Sequence, residues 1–203
     1  MTMMKSVRFG VVSLLLVVGV AGCSRDAAPG GESSMQPTKK KVTDSTIAVQ
    51  PVVTVMGEVP VWAGAATVEP SLACYGDTLN NQGGLPAGSV HQITSGKTFT
   101  FSGWAVDKSL PAGTSQAPAL FVLTPQNGDG KAQYFQANRN ERSDVTVASE
   151  FAAIKPTMAG VTINAGTSGV PVGTYQVEFV VGNASVAKKC SLGPAWIIEI
   201  TPS

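Results

Sequence analysis

From residue 47 onward the chain is written in short apolar or alternating runs separated by turn residues, the pattern of an all-β sandwich. Residues 98–102, Thr-Phe-Thr-Phe-Ser, alternate polar and apolar with period two, so one face of that strand is buried. The run continues through Gly103, Trp104, Ala105, Val106 and Asp107, and its phase changes near Gly103, which predicts a bulge or a close backbone approach there. Residues 119–124 read as a fully buried strand. Gln126-Asn127-Gly128-Asp129-Gly130 is a turn cluster, and residues 131–137 are the returning strand of that hairpin. Residues 173–179 alternate cleanly and predict Tyr175, Val177 and Phe179 inward, Gln176 and Glu178 outward. Residues 195–201 form the last strand, with Trp196, Ile198 and Ile200 on one face and Glu199 and Thr201 on the other. Two earlier runs, 47–55 and 59–67, are also candidate strands. The one short helix falls at 143–151, where Ser143 offers a cap and Asp144 suits the positive N-terminal end. No internal repeat is present. The expected fold is therefore a single antiparallel sandwich, Ig-like or jelly-roll-like, with one short helix.

Ahead of this domain the pattern is different. Lys5 and Arg8 precede an apolar run at 9–20, about a dozen residues, too short for a transmembrane helix of roughly 20. A positive flank, a short apolar run and small residues after it are the parts of a secretory signal peptide. Val20-Ala21-Gly22-Cys23 resembles the lipobox of bacterial lipoproteins, with Val20 where that pattern often has Leu. The resemblance implies cleavage before Cys23, acylation of its thiol and of the new N-terminus, and stable anchoring in membrane lipid by more than one chain. By the same resemblance, Ser24 in place of Asp favours the outer over the inner membrane. Residues 24–46 are rich in Ser, Gly, Pro and charge and too poor in large apolar groups to offset their ordering entropy. They read as a flexible tether, with Lys39, Lys40 and Lys41 a solvated run within it. The chain thus divides into a signal peptide at 1–22, a lipidated cysteine and tether at 23–46, and a folded domain at 47–203.

Charge and cysteines narrow the classes. Removing residues 1–22 takes Lys5 and Arg8 from 14 basic groups and leaves 12 against 13 acidic ones, a formal charge of −1. Such a chain has no general attraction for nucleic acid. The lipobox implies an oxidising compartment, in which the two remaining cysteines, Cys74 and Cys190, are expected to pair as a disulfide.

The order of several short motifs carries a further resemblance. Cys74, Asp77 and Asn80 lie close together, then come FTFSGWAVD, RSDVTVASEF and VGTYQVEFVV, then the late cysteine and a strand. This looks like a β-sandwich module of bacterial envelope proteins, also found beside polysaccharide-building glycosyltransferases, whose hallmark is a GWAxD-type strand. The resemblance covers residues 70–201. It implies a fold and an envelope setting, and no particular chemistry.

Catalytic patterns are sparse. His91 is the sole histidine; it falls in the loop-like stretch 86–96, and no Gly-x-Ser-x-Gly elbow accompanies it. One histidine and two oxidised cysteines do not make a zinc site. Asn127-Gly128-Asp129-Gly130 lacks the spaced ligands of an EF-hand. Asp77, Asp107, Asp129, Asp144 and Glu150 are the acids from which a glycosidase pair would have to come. No cofactor or metal is expected. Asp107, at a strand end, is read as an acceptor of backbone N–H groups, and Arg142 with Asp144 as an ion pair near the helix. Trp104 and Trp62 are the candidate sugar-stacking rings, with Asp107 as a polar companion, although a strand tryptophan more often belongs to the core. The leading expectation is a non-enzymatic accessory or interaction module anchored through Cys23, with another envelope protein or polysaccharide as partner. A carbohydrate-binding module for envelope polysaccharide or peptidoglycan is the alternative. An envelope hydrolase is the third, and it would need His91 beside a carboxylate or two close acids.

Overall fold

A computed structural model describes residues 50–128 and 130–203. The signal peptide, Cys23 and the tether lie outside the described residues, as do residues 47–49 and Asp129. The domain spanning 47–203 is an all-β sandwich of two sheets.

The smaller sheet has the order β2-β4-β8-β7, with β2 at Leu72–Leu79, β4 at Thr98–Asp107, β8 at Gly160–Gly166 and β7 at Asn138–Asn140. All its pairings are antiparallel. The larger sheet is built on β9, Gly173–Gly182. One side of β9 pairs along its length with β5, Ala119–Pro125, which pairs in turn with β6, Gln133–Gln136. The other side is shared: β11, Ile197–Thr201, takes the first half of β9 and β10, Ala187–Ser191, the second. Two short edge pairings in this sheet are parallel, β3 at His91–Thr94 on β11 and β1 at Thr67–Val68 on β10.

The core lies between the sheets. Phe99 and Phe101 of β4 meet Phe121, Phe135, Phe179 and Trp196 of the other layer, with ring centroids 5.1–6.3 Å apart and mostly tilted or edge-on. These are the arrangements that aromatic quadrupoles favour. Tyr175, Val177 and Phe179 point inward as their alternation predicts, and so do Ile198 and Ile200. The first five residues of β5 are buried because its second face is covered too. There Leu120, Val122 and Val180 pack under Ala63 of a helical turn, α1, at Val61–Gly64. The Tyr175 hydroxyl donates to the Pro171 carbonyl at 2.7 Å, the same device as the tyrosine corner of Greek-key sandwiches. A disulfide joins Cys74 of β2 to Cys190 of β10 and so ties the two sheets together.

Some expectations need correction. The run 59–67 is not a strand: Pro60 opens a helical turn, and only Thr67 and Val68 pair. In the run 47–55, the described residues make one bridge, Val53 to Ala165. The inward phase of β4 continues through Gly103 and Ala105 without a break. The bulge lies opposite, in β2 between Gly76 and Thr78, and Gly103 is the close approach: a Cβ there would sit 2.4 Å from the Tyr75 carbonyl oxygen. The stretch 143–151 is two short pieces, α2 at Ser143–Thr146 and a 3-10 turn at Ser149–Phe151. Arg142 holds the cap position of α2, and no side chain caps it.

Candidate functional site

Residues of β2 and β4 that point away from the core build one face of the smaller sheet. Tyr75 stands opposite Trp104 in the register, and Thr78 opposite Ser102. The Thr78 and Ser102 hydroxyls share a hydrogen bond of 2.8 Å. The Tyr75 and Trp104 rings are nearly parallel, 24° apart in plane, with centroids separated by 6.2 Å. Tyr75 is 57% exposed. Trp104 is half-buried, because the segment after β7 folds back over the sheet. Phe151 meets Trp104 edge-on at 5.4 Å, within a small cluster of Val106, Val145 and Ala159. Trp104 is thereby held in place, and Tyr75 presents the open ring beside it.

Asp77, two residues after Tyr75, lies on the same face by alternation, and the bulge then sets Thr78 beside it. Arg142 spans to it from beyond β7, donating from Nη1 to Asp77 and from Nε and Nη2 to both oxygens of Asp144, at 2.8 and 2.6 Å. This two-pronged contact with Asp144, and then the bond to Asp77, hold the guanidinium pKa above its ordinary value. Hydrogen bonding from Arg142 pulls the Asp144 carboxyl down to about 2. Asn140 lies over Gly160, where a Cβ would come within 2.5 Å of its Oδ1. A shallow, mostly apolar groove of about 250 Å³ opens beside Arg142, lined by Glu141, Val147 and Met158 among others.

The remaining expected site residues lie elsewhere. Asp107 is engaged within the fold, as the reading of it as an acceptor of backbone N–H groups expects. It is buried at the end of β4, where its Oδ1 accepts from the Ser109 N–H at 3.0 Å, the Ser109 hydroxyl at 2.7 Å and the Lys188 ammonium at 2.8 Å. Burial pushes this carboxyl up, but the bonds from Lys188 and Ser109 outweigh it and hold it below the usual range. Lys188 also donates to the Ser109 and Ser71 hydroxyls. A pocket of about 200 Å³ opens beside this cluster. Trp62, in α1, packs beside Ala63 and lines a separate shallow pocket with Val186 and Ala187.

His91 is not an exposed loop residue. It is a strand residue of β3, 3% exposed, stacked on Trp196 at 5.3 Å with planes 9° apart. Neither ring nitrogen has a hydrogen-bond partner among the described residues, so His91 lacks the carboxylate that a Ser-His-Asp triad requires. Burial lowers its pKa, against a smaller opposing effect of the Ala195 backbone. Asp77 and Asp144 are two acids gathered by one guanidinium. Asp144, bonded by two guanidinium N–H groups, is held ionised near neutral pH. Among the described residues, no group of three or more His, Cys, Asp or Glu is placed to hold a metal, and no helix is long and apolar enough to cross a membrane.

Two functional groups escape sequence reasoning. Tyr75 is adjacent to Cys74, and the bulge in β2 that sets Thr78 on its face beside Asp77 has no local signature. Arg139 enters from β7 and donates to the carbonyls of Ala117, Ala105 and Ala159 at 2.8–3.2 Å. Its burial lowers its pKa to about 10. It staples the sheet end beneath the candidate face.

Compared with protein-family models, with curated proteins and with solved structures, the chain finds no match. The class of the chain is thus architectural: a disulfide-closed β-sandwich with an aromatic and charged outer face.

Proposed function

We propose that this chain is a membrane-anchored lipoprotein of a bacterial envelope, and that its sandwich domain is a non-enzymatic accessory or interaction module. The observation that carries the reading is the Cys74–Cys190 disulfide. A bond that staples the two sheets of a folded domain suits an oxidising compartment, and export to one is what the positive start, the apolar run and Val20-Ala21-Gly22-Cys23 encode. Outer-membrane placement follows Ser24. The partner class is an envelope protein or polysaccharide, met at the end of a polar linker. Mass spectrometry of the envelope-fraction protein tests this directly. A chain starting at Cys23 with added lipid mass, lost in Cys23→Ser, is the expected result; an unlipidated wild-type chain overturns the anchor.

A second reading, a carbohydrate-binding module for envelope polysaccharide or peptidoglycan, is favoured by one specific observation. Trp104 is partly open beside Asp77 and Tyr75 and is not sealed in the core.

A further inference from the structure

We infer that the outer face of the smaller sheet is a saccharide-binding site, with Tyr75 as its stacking ring, Trp104 as the fixed support of that ring, and the Arg142–Asp77–Asp144 cluster as its hydrogen-bonding wall, selective for neutral over acidic sugars. This deepens the second reading and rests on the domain being a binding module; it does not depend on the anchor.

The rings come first. A pyranose has an apolar C–H face and a rim of hydroxyls, so it needs a flat apolar surface with polar groups at its edge. Tyr75 offers an open ring, and Trp104 beside it is nearly parallel and braced by Phe151. A braced ring has little conformational freedom left to lose on binding. The wall comes second. Arg142 uses three of its five N–H groups on Asp77 and Asp144. Two donors therefore remain, and Asp77 Oδ1 accepts no hydrogen bond among the described residues. The cluster is cross-paired and still unsaturated, which is the state that rewards an incoming hydroxyl. A flat protein surface is the poorer occupant, because covering these fixed charges without supplying each a partner is costly. A sugar rim supplies donors and acceptors at every position.

Charge then selects among sugars. Asp77, Asp144 and Glu141 stand around Arg142, with the Arg139 guanidinium beneath the sheet end, an excess of one negative charge. A uronate would bring a further carboxylate to a wall whose exposed guanidinium is already shared between two. Neutral hexose or N-acetylhexosamine chains meet no such repulsion.

The test is calorimetric titration of the whole protein, purified in detergent from membranes, with three probes: N-acetylglucosamine hexamer, a neutral galactose oligomer and an oligogalacturonate. At least one neutral oligomer should bind and the uronate should not. Tyr75→Ala should weaken the neutral oligomer about tenfold with an unchanged melting temperature, and Tyr75→Phe, which keeps the ring, should restore it to within about twofold. Failure of both neutral oligomers at millimolar concentration overturns the site. So does tighter binding of the uronate, or a Tyr75→Ala variant that binds as well as wild type. Retention of an envelope protein through Tyr75 with no glycan bound would also overturn it, in favour of a protein interface. A chain that lacks lipid at Cys23 yet binds the oligomer retains this inference and loses only the anchor.

Discussion

The domain holds two polar clusters of similar chemistry and opposite fate. At the end of β4, Asp107 and Lys188 form an ion pair of 2.8 Å whose side chains are only 11–12% exposed. Hydroxyls of Ser71 and Ser109 occupy the remaining positions around it. On the outer face of the smaller sheet, Arg142 meets Asp77 and Asp144 with side chains 23–63% exposed and with donors to spare. The difference is one of burial. A buried charge has to be fully partnered or the fold loses stability, so the first cluster is closed and structural. A half-exposed cluster is worth little to the fold, and its unsatisfied groups are left for something else. The disulfide stands between the two: Cys74 adjoins Tyr75 on β2, and Cys190 lies two residues from Lys188 on β10.

Removing that link should have the largest effect and should blur the comparison by loosening both clusters. The cysteines are 116 residues apart, and a closed loop of that length stabilises by up to about 4–5 kcal/mol in the chain-entropy picture. A Cys74→Ala, Cys190→Ala chain should show a large drop in melting temperature, and wild type should show the same drop on adding reductant. A melting curve indifferent to reductant would mean that the bond contributes nothing.

Asp107→Ala comes next. It strands the Lys188 ammonium in a nearly closed site and removes the acceptor of two Ser109 bonds, so a loss of about 2–4 kcal/mol is expected in denaturant unfolding. The pH dependence follows from the depressed carboxyl. Its folded pKa lies below the unfolded value of about 3.9, so its contribution is present above pH 4 and is lost as pH falls through the folded value. The Asp107→Ala variant should lack that acid limb.

His91 sharpens the contrast from a third side, being buried with no hydrogen-bond partner for either ring nitrogen among the described residues. Burial lowers its folded pKa below the unfolded 6.5 or so, and between those values the unfolded chain binds more protons than the folded one. Stability should therefore decline as pH drops below about 6.5 and level off below the folded pKa. His91→Phe, which keeps a ring against Trp196, should flatten that segment of the profile while leaving the Asp107 limb at lower pH unchanged.

How much of this was legible from residues alone depended on whether the signal was local. The strands at 98–107, 119–125 and 173–182 carry long alternating or continuous apolar patterns, and they are where the pattern puts them. Residues 59–67 misled because Val59, Val61 and Trp62 look strand-like while Pro60 and local N–H bonds turn them into α1. His91 misled for a different reason: β3 is four residues long and gains its order from parallel pairing with β11, over a hundred residues away. The candidate face was half visible. Trp104 and Arg142 stood out by type. Tyr75 and Asp77 share that face by simple alternation, but the bulge in β2 that adds Thr78 to it is a property of the pairing with β4 rather than of the local sequence.

The smallest stability effect belongs to the exposed cluster, and it is the one that decides whether the comparison holds. Asp77→Asn keeps the shape of the side chain and removes one charge from Arg142. With both groups about a quarter exposed, the cost should be about 0.5–1 kcal/mol, well below that of Asp107→Ala. If the outer cluster is reserved for a ligand, this nearly silent change should still alter glycan affinity in the titration above, because it changes the acceptor beside Tyr75 and frees a guanidinium donor. A variant that loses stability as heavily as Asp107→Ala would place both clusters in the same structural class and remove the reason for looking to this face for function.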